Sequence, residues 1–253
     1  MSDRVWAESE DGKFKWVSLI PKYLSQTIEV YRKSFYVNEN ISKVTEISKT
    51  EKGMTQFDEF LIEIAQDGVS VICVETSTDK VVGAGINKLQ DVHCSETPIL
   101  QKYFSREDLD PGFKELLNFM IQLEAKVDVA DYYQIDSFMD HMFLATHPDY
   151  YRKGIGLKTV DASVEIAKAL YKGEDVAVPI SEDKYPWKKT PIPRPQVVIA
   201  LFTSPLSQKI GKNLGWDFVT EVSYEDLIYE GKTYASRLDK NNNCSLYMGI
   251  RLS

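Results

Sequence analysis

Cysteine is scarce in this sequence, long apolar runs are missing, and basic residues are in the minority. Cys73, Cys94 and Cys244 are too few for the disulfide framework of a secreted domain, and none of them has C-x-x-C metal-ligand spacing. No stretch approaches the roughly 18 consecutive apolar residues of a membrane helix. The polar N-terminus lacks the apolar core of a secretory signal. These absences predict a cytoplasmic protein without a metal site or a membrane partner.

The charge balance is acidic, with a formal net charge of −8 at pH 7. Nucleic acids are themselves densely negative, so this balance argues against a nucleic-acid partner. It is compatible with a cationic small substrate such as an amine, and equally with plain solubility. No pattern indicates an oligomer, and a monomer is the default expectation.

Strand and helix patterns alternate along the chain, which predicts a single α/β (α+β) domain over residues 1–253. Apolar runs predict strands near 14–20, 69–75, 81–88, 141–145, 196–202, 216–224 and 244–252. Helical spacing of apolar residues predicts helices after Pro21, over 54–66 and 111–127, from Gly154 onwards, and over 204–214. The Pro-rich, charged segment 172–195 is too long for an ordinary connection, which indicates an insertion or a functional loop.

The most informative segment is residues 143–168, FLATHPDYYRKGIGLKTVDASVEIAK. It reads as a strand, a turn, a glycine-containing loop and an amphipathic helix. Gly154 and Gly156 permit a curled backbone whose N–H groups face one concavity. The helix N-terminus adds unpaired N–H groups and the positive end of its dipole. Together with Arg152 and Lys153, these groups suit a phosphate or pyrophosphate.

Two common phosphate-binding motifs do not fit this loop. A Walker loop requires G-x-x-x-x-G-K-[ST], and here Leu157 precedes Lys158. The dinucleotide fingerprint G-x-G-x-x-G requires glycine where Thr159 stands. A third interpretation stays open, in which the two glycines at this helix N-terminus are purely structural.

The R-K-G-I-G-L-K loop after an apolar strand resembles the acetyl-CoA-binding motif of GNAT N-acetyltransferases, written Q/R-x-x-G-x-G/A. Tyr151 stands where that motif has Gln or Arg. The resemblance implies the GNAT fold, a central mixed, mostly antiparallel sheet of about seven strands, flanked by helices and splayed at the acetyl-CoA site. It also implies that acetyl-CoA, as co-substrate, is bound by Leu144, Ala145, Thr146, Arg152, Lys153, Gly154, Ile155, Gly156 and Leu157.

Two further segments extend the resemblance. Residues 203–219, TSPLSQKIGKNLGWDFV, resemble the GNAT segment that ends in L-G-F. Residues 34–42, SFYVNENIS, resemble the F-F-x-D-E-P-L-N segment of insect arylalkylamine N-acetyltransferases. The general base of those enzymes aligns with Glu39, and their two active-site serines align with Thr203 and Ser207. Asn40 replaces the proline of that segment.

The resemblance implies transfer of an acetyl group from acetyl-CoA to the primary amine of an arylalkylamine or polyamine. An alkylammonium group has a pKa near about 10.4, so a base must deprotonate it, and Glu39 is the candidate. Ser207 is expected to protonate the departing thiolate, with Thr203 in support, because Gly211 stands where many GNAT enzymes have tyrosine. A backbone N–H near Ala145 is expected to stabilise the oxyanion.

Other interpretations remain open. The chain could be a peptide or protein N-acetyltransferase, an acyl-CoA-binding GNAT protein without catalysis, or an unrelated α/β interaction protein. In the alternative without catalysis, Glu39 is a solvated carboxylate. Thr203 and Ser207 are then helix caps. His141 and His147 are proton relays or packing residues. The aromatic candidates for an amine pocket are Phe35, Tyr36 and Trp187.

Overall fold

The computed structural model describes residues 4–188 and 190–253, and its core is a large twisted sheet. The strands are β1 (Val5–Glu8), β2 (Phe14–Ser18), β3 (Val71–Glu75), β4 (Lys80–Asp91), β5 (Ser137–Thr146), β6 (Val197–Phe202), β7 (Asp217–Ser223), β8 (Ile228–Tyr229), β9 (Lys232–Thr233) and β10 (Cys244–Arg251). Eight of them form one sheet in the order β1-β2-β3-β4-β5-β6-β10-β7, and β8 pairs with β9 separately. Only β5 and β6 pair in parallel, so the expected mixed, mostly antiparallel sheet is confirmed.

Helices cover both faces of the sheet. They are α1 (Leu24–Lys33), α2 (Phe35–Asn38), α3 (Asn40–Thr45), α4 (Glu51–Ala65), α5 (Ile99–Phe104), α6 (Pro111–Glu124), α7 (Val129–Tyr133), α8 (Ile155–Tyr171) and α9 (Pro205–Asn213). Apolar side chains of α1 to α6 pack on one face, and those of α8 and α9 pack on the other. No helix in residues 4–188 or 190–253 combines the length and apolar character needed to span a bilayer.

Local chemistry sets the helix boundaries that the sequence predicted. At the start of α6, Asp110 accepts hydrogen bonds from the N–H groups of Gly112 at 2.9 Å and Phe113 at 3.3 Å. Pro111 occupies the first helical position, where its missing N–H costs nothing. The short elements β1, α2, α3, α5 and α7 were not predicted, because four to six residues are too few to show a period.

A β-bulge interrupts β5 at its centre. Phe143 pairs with Ile86 of β4 and His141 pairs with the next β4 residue, Asn87, so Met142 is an extra residue. The bulge bends β5 and increases its local twist. It therefore turns the second half of β5 away from the strand on its other side, β6.

The Tyr31 side chain of α1 supports this bulge. Its hydroxyl donates to the carbonyl of Phe143 at 2.8 Å and also contacts the carbonyl of Ala84 at 3.3 Å. Tyr31 is fully buried, so water does not replace these bonds. Phe35 packs edge-on against the Phe143 ring from the same side.

The strands β5 and β6 pair over three residues only, from Met139↔Val198 to His141↔Ala200. Beyond that point β5 stays paired with β4 as far as Thr146, and β6 stays paired with β10 as far as Phe202. Within the described residues the two strands make no further pair with each other. The sheet therefore opens into a wedge, which confirms the expected splaying.

The described residues of segment 172–195, which are 172–188 and 190–195, lie at the other end of these strands. The N–H of Val178 donates to the carbonyl of Gly68 at 2.8 Å, and the Ser137 hydroxyl donates to the carbonyl of Arg194 at 2.7 Å. Ser137 is the first residue of β5, whereas the wedge opens at its end. The described part of the insertion thus covers the closed side of the sheet.

We expect Tyr31→Phe to lower the free energy of unfolding by about 1–3 kcal/mol, because two buried carbonyls lose their shared donor. Chemical denaturation measures this change. Tyr171→Phe is the matched control, since Tyr171 is 40% exposed and its hydroxyl bonds no described residue. Equal stability of the two variants would contradict the role assigned to Tyr31.

Candidate active site

A cavity of about 380 Å³ passes through the wedge between β5 and β6. It is bounded by the α2–α3 segment, α6, α9 and the first turn of α8. The predicted site residues that line it are Glu39, Leu144, Thr146, Gly156, Thr203 and Ser207. The structure thus brings the three predicted catalytic residues and part of the predicted cofactor loop to one continuous space.

Glu39 joins α3 to the end of β6. One carboxylate oxygen accepts a hydrogen bond from the N–H of Ser42 at 2.7 Å and caps α3. The other accepts from the hydroxyl of Thr203 at 2.5 Å. The carboxylate is therefore held at the open end of the wedge by a donor from each side, and it has a structural function whatever its chemistry.

Thr203 is itself fixed through its backbone. Its carbonyl accepts from the side-chain amide of Asn40 at 2.6 Å and from the hydroxyl of Tyr224 at 2.6 Å. Tyr224 also lies 2.7 Å from the hydroxyl of Ser245 on β10. Asn40, which departs from the arylalkylamine segment, thus ties the α3 turn to β6 by a bond that proline does not make.

Ser207 lines the cavity but belongs to a helix cap. Its N–H donates to the Ser204 hydroxyl at 3.3 Å, and its own hydroxyl accepts from the N–H of Ser204 at 3.1 Å. This reciprocal pair is a capping box at the start of α9. The Ser207 hydroxyl also contacts the Ser204 carbonyl at 3.0 Å. A catalytic role for Ser207 stays a prediction and requires this hydroxyl to rotate.

The predicted glycine curl forms two residues earlier than expected. Arg152 and Gly154 have positive φ angles of 63° and 75°, whereas Gly156 is already helical. No described side chain caps the N-terminus of α8. Its first N–H groups are therefore open to an anion.

Some side chains around the curl are buried in the core, and others are exposed to solvent. Ile155 is buried under the sheet, and Ala145 is buried on the opposite face. The Lys153 ammonium lies 4.6 Å from the centre of the Tyr150 ring. Arg152 is exposed and forms no ion pair with the described residues. Arg152, Lys153, Gly154, Ile155 and Leu157 surround the helix N-terminus without lining the cavity itself.

Tyr151 stands at the Gln or Arg position of the GNAT motif but has neither an amide nor a guanidinium group. Its hydroxyl lies 3.0 Å from that of Ser34 and 3.4 Å from the amide nitrogen of Asn38. The ring lines the cavity and is 45% exposed. Tyr151 therefore joins the glycine loop to the α1–α2 corner on the other side of the opening.

Gly156 is the informative glycine of the motif. Glycine weakens a helix, and at Gly53, Gly112 and Gly211 close packing explains it, because a Cβ atom would meet another atom below 3.0 Å. At Gly156 a Cβ atom would lie 3.5 Å from Ile210, an ordinary contact. The fold has room for a Cβ atom there, so packing does not account for this glycine.

His141 is a buried neutral residue beside the cavity. Asn87 donates to the Val69 carbonyl at 2.7 Å, so its oxygen accepts from Nδ1 of His141 at 2.7 Å. Burial lowers the pKa of His141 to about 4. Its Nε2 contacts no described hydrogen-bond partner. His147, in contrast, does not line the cavity, and its Nδ1 accepts from the N–H of Asp149 at 3.3 Å.

The three aromatic candidates for an amine pocket lie in three different environments. Phe35 lines the cavity. Tyr36 is fully buried, stacks on Phe57 at 4.8 Å and donates to Asp58 at 2.7 Å, so its role is in the core. Trp187 does not line the cavity, and it lies beside a second groove that the insertion forms with β4. Tyr36 and Trp187 therefore do not line this cavity, contrary to the expectation that they form an amine pocket.

Several residues that line the cavity were not identified from the sequence. They include Phe119, Glu124, Asp140 and Tyr247. The sequence does mark Asp140 as a candidate site residue, because it is a lone acid within the apolar strand SFMDHMFLAT. The other three lie on α6 and β10, where nothing in the local pattern connects them with β5. Among the described residues, no cluster of three or more His, Cys, Asp or Glu side chains forms a metal site.

Solved structures share this architecture over the whole chain. Arylalkylamine N-acetyltransferase 2 of the mosquito Aedes aegypti has a TM-score of 0.75 at 18% identity, with 95% of this chain and 99% of that chain covered. This chain has the GNAT fold. A putative arylalkylamine N-acetyltransferase 7 of Aedes aegypti gives 0.74 at 15% identity, covering 100% of this chain and 97% of that one.

Another match with the GNAT fold is the Drosophila melanogaster polyamine N-acetyltransferase, which forms N-acetylagmatine. Its TM-score is 0.71 at 15% identity, with 94% of this chain and 100% of that chain covered. The sequence itself matches no family model and no curated protein. The likeness therefore lies in the arrangement of strands and helices.

We expect His141 to make stability depend on pH. The unfolded imidazole titrates near about 6.5 and the buried one near about 4, so the unfolded chain binds more protons between these values. Unfolding free energy should fall as pH drops through this window, and His141→Gln should remove about 2–3 kcal/mol of that fall.

Denaturation curves at several pH values test this difference. His93→Gln is the matched control, because the His93 side chain is 76% exposed. Parallel pH profiles for the wild type and His141→Gln would show that the imidazole is not held neutral.

Proposed function

We propose that this chain is an acetyl-CoA-dependent N-acetyltransferase that acetylates the primary amine of a small arylalkylamine or polyamine. The main support is the continuous cavity that runs through the opened sheet from the first turn of α8 to Glu39. The names of the solved neighbours point the same way. We propose the cytoplasm as its compartment, in keeping with three free cysteines.

The residues on the α8 side fit acetyl-CoA. The edge of β5 from Leu144 to Thr146 has no strand partner on its β6 side within the described chain, so its backbone on that side is free to bond an extended amide-containing arm. The uncapped N–H groups that follow Gly154 suit the pyrophosphate, and Arg152 adds a free positive charge. Acetyl-CoA, when bound, supplies the reactive thioester.

The residues on the α6 side suit the amine. Glu39 accepts one proton from the ammonium group, directly or through a water, and the neutral nitrogen then attacks the thioester carbon. The N–C bond forms, the C–S bond breaks and CoA leaves as the thiolate. Ser207 is the proposed proton donor to that thiolate. The Thr203 hydroxyl positions the carboxylate through its 2.5 Å hydrogen bond.

The size of the cavity favours a small molecule over a peptide. Its volume of about 380 Å³ lies within the range of ordinary small-molecule sites. On the acceptor side it is enclosed by apolar residues of α6, including Leu116, Phe119 and Met120. A peptide acceptor calls for an open groove.

We expect Glu39→Gln to lower kcat/KM for amine acetylation by about 100-fold or more, because the amide cannot accept the proton. The Gln oxygen still accepts from Ser42 and preserves the α3 cap. Thiol release from acetyl-CoA, measured across pH with several amines, gives the rates. Asp128→Ala is the control for cap loss, since Asp128 caps α7 at 3.0 Å and lies outside the cavity. Wild-type turnover in Glu39→Gln would exclude Glu39 as the base.

We expect Gly156→Ala to separate folding from CoA binding. A methyl group in the helix should stabilise the fold by about 0.5–1 kcal/mol. The same methyl group enters the cavity and should weaken CoA binding about tenfold or more. Calorimetric titration and thermal unfolding measure the two effects. Gly12→Ala is the control for CoA binding only, because Gly12 lies in the β1–β2 turn outside the cavity and its φ of 67° disfavours alanine. Unchanged CoA affinity would place the ligand elsewhere.

A further inference from the structure

Three polar side chains meet at the closed end of the cavity. Glu124 ends α6, Asp140 is the middle of the three β5 residues that pair with β6, and Tyr247 comes from β10. Asp140 is 6% exposed and Tyr247 is 3% exposed, yet neither side chain bonds any residue that the structure describes. Polar side chains this deeply buried normally have hydrogen-bond partners, so these groups, which line the cavity, need an explanation.

The described part of the chain offers these groups no counter-charge. Neither Glu124 nor Asp140 pairs with a Lys, Arg or His among the described residues, and the nearby lining is apolar. Burial raises the pKa of Asp140 well above its usual value, with a contribution from Glu124, and burial raises the pKa of Glu124 to about 7. Burial likewise raises the pKa of Tyr247, and the two carboxyls add to this effect. Two acids therefore face one space with no cation supplied by the fold.

This acidic end lies at a defined distance from Glu39. Asp140 is level with Ile199 of β6, whereas Glu39 bonds to Thr203, four residues further along the chain. At about 3.3 Å per residue, the two acidic ends are separated by about 13 Å along the strand direction. Phe35, Phe119 and Met142 are among the apolar residues that line the space. The cavity therefore has a carboxylate at one end, an apolar middle and a carboxyl pair at the other end.

We propose that the acceptor is an amine with a second cationic group, an ammonium or guanidinium, which Asp140, Glu124 and Tyr247 bind at the closed end of the cavity. This inference rests on the proposed function, because the amine that reacts is the one at Glu39. A bound cation favours ionised carboxyls and supplies the missing partners. A neutral distal group leaves the acids protonated and gains less from them.

Three amines of equal chain length test the proposal: hexylamine, aminohexanol and diaminohexane carry a distal methyl, hydroxyl and ammonium group. Acetylation is measured for the wild type, Asp140→Asn and Glu124→Gln. Asp136→Asn is the matched control, because the Asp136 side chain is 78% exposed and lies outside this cavity. We expect the wild type to prefer diaminohexane in kcat/KM. Asp140→Asn should reduce kcat/KM for diaminohexane about 30-fold, mainly through KM.

The deciding quantity is the ratio of kcat/KM for diaminohexane to kcat/KM for hexylamine, which Asp140→Asn should lower about tenfold because hexylamine has no distal cation to lose. Glu124→Gln provides a second variant if Asp140→Asn folds poorly. Preference for hexylamine or aminohexanol, or equal losses for all three amines in both variants, would overturn the inference while leaving the acetyltransferase intact. Acetylation of no amine at all would instead refute the proposed function.

Discussion

The parting of β5 from β6 is the constraint on which the rest of the molecule depends. Two neighbouring strands that bonded along their full length would leave no space inside the sheet. Here the bulge at Met142 turns β5 aside after three paired residues. The opening exposes backbone groups of one strand, connects the two faces of the sheet and creates the cavity in which every proposed chemical step takes place.

An open sheet loses hydrogen bonds, and long-range contacts offset that loss. Tyr31 satisfies carbonyls at the bulge, and Tyr224 with Asn40 holds the carbonyl of Thr203 at the end of β6. These bonds come from α1, from the α3 turn and from the residue that follows β7. The wedge is therefore kept open by the helical layer and the far edge of the sheet, and the same bonds set the position of Glu39.

Structural and chemical roles overlap at this site. Glu39 caps a helix and is also the proposed base, and Ser207 belongs to a capping box and is also the proposed acid. Gly156 and Asp140 show the opposite relation, because packing gives no reason for either of them. A residue that the fold does not need, in a cavity wall, is the strongest internal sign of a ligand.

The sequence by itself determined the local features. Periodicity and capping residues located the long helices, the apolar runs located the main strands, and the glycine loop before α8 indicated an anion site. Resemblance to arylalkylamine N-acetyltransferases supplied Glu39, Thr203 and Ser207, and all three line the cavity. These signals share one property, which is that each is contained within a few consecutive residues.

Only the tertiary structure decided what meets across the chain. Tyr36 faces the core and Trp187 lies beside another groove, although both seemed suited to an amine pocket. The bond that Asn40 makes to the end of β6 joins positions more than a hundred residues apart. The carboxyl groups of Glu124 and Asp140 come together because the end of α6 and the middle of β5 line the same cavity. Such contacts depend on strand order and helix placement, which are non-local and leave no periodic trace in the sequence.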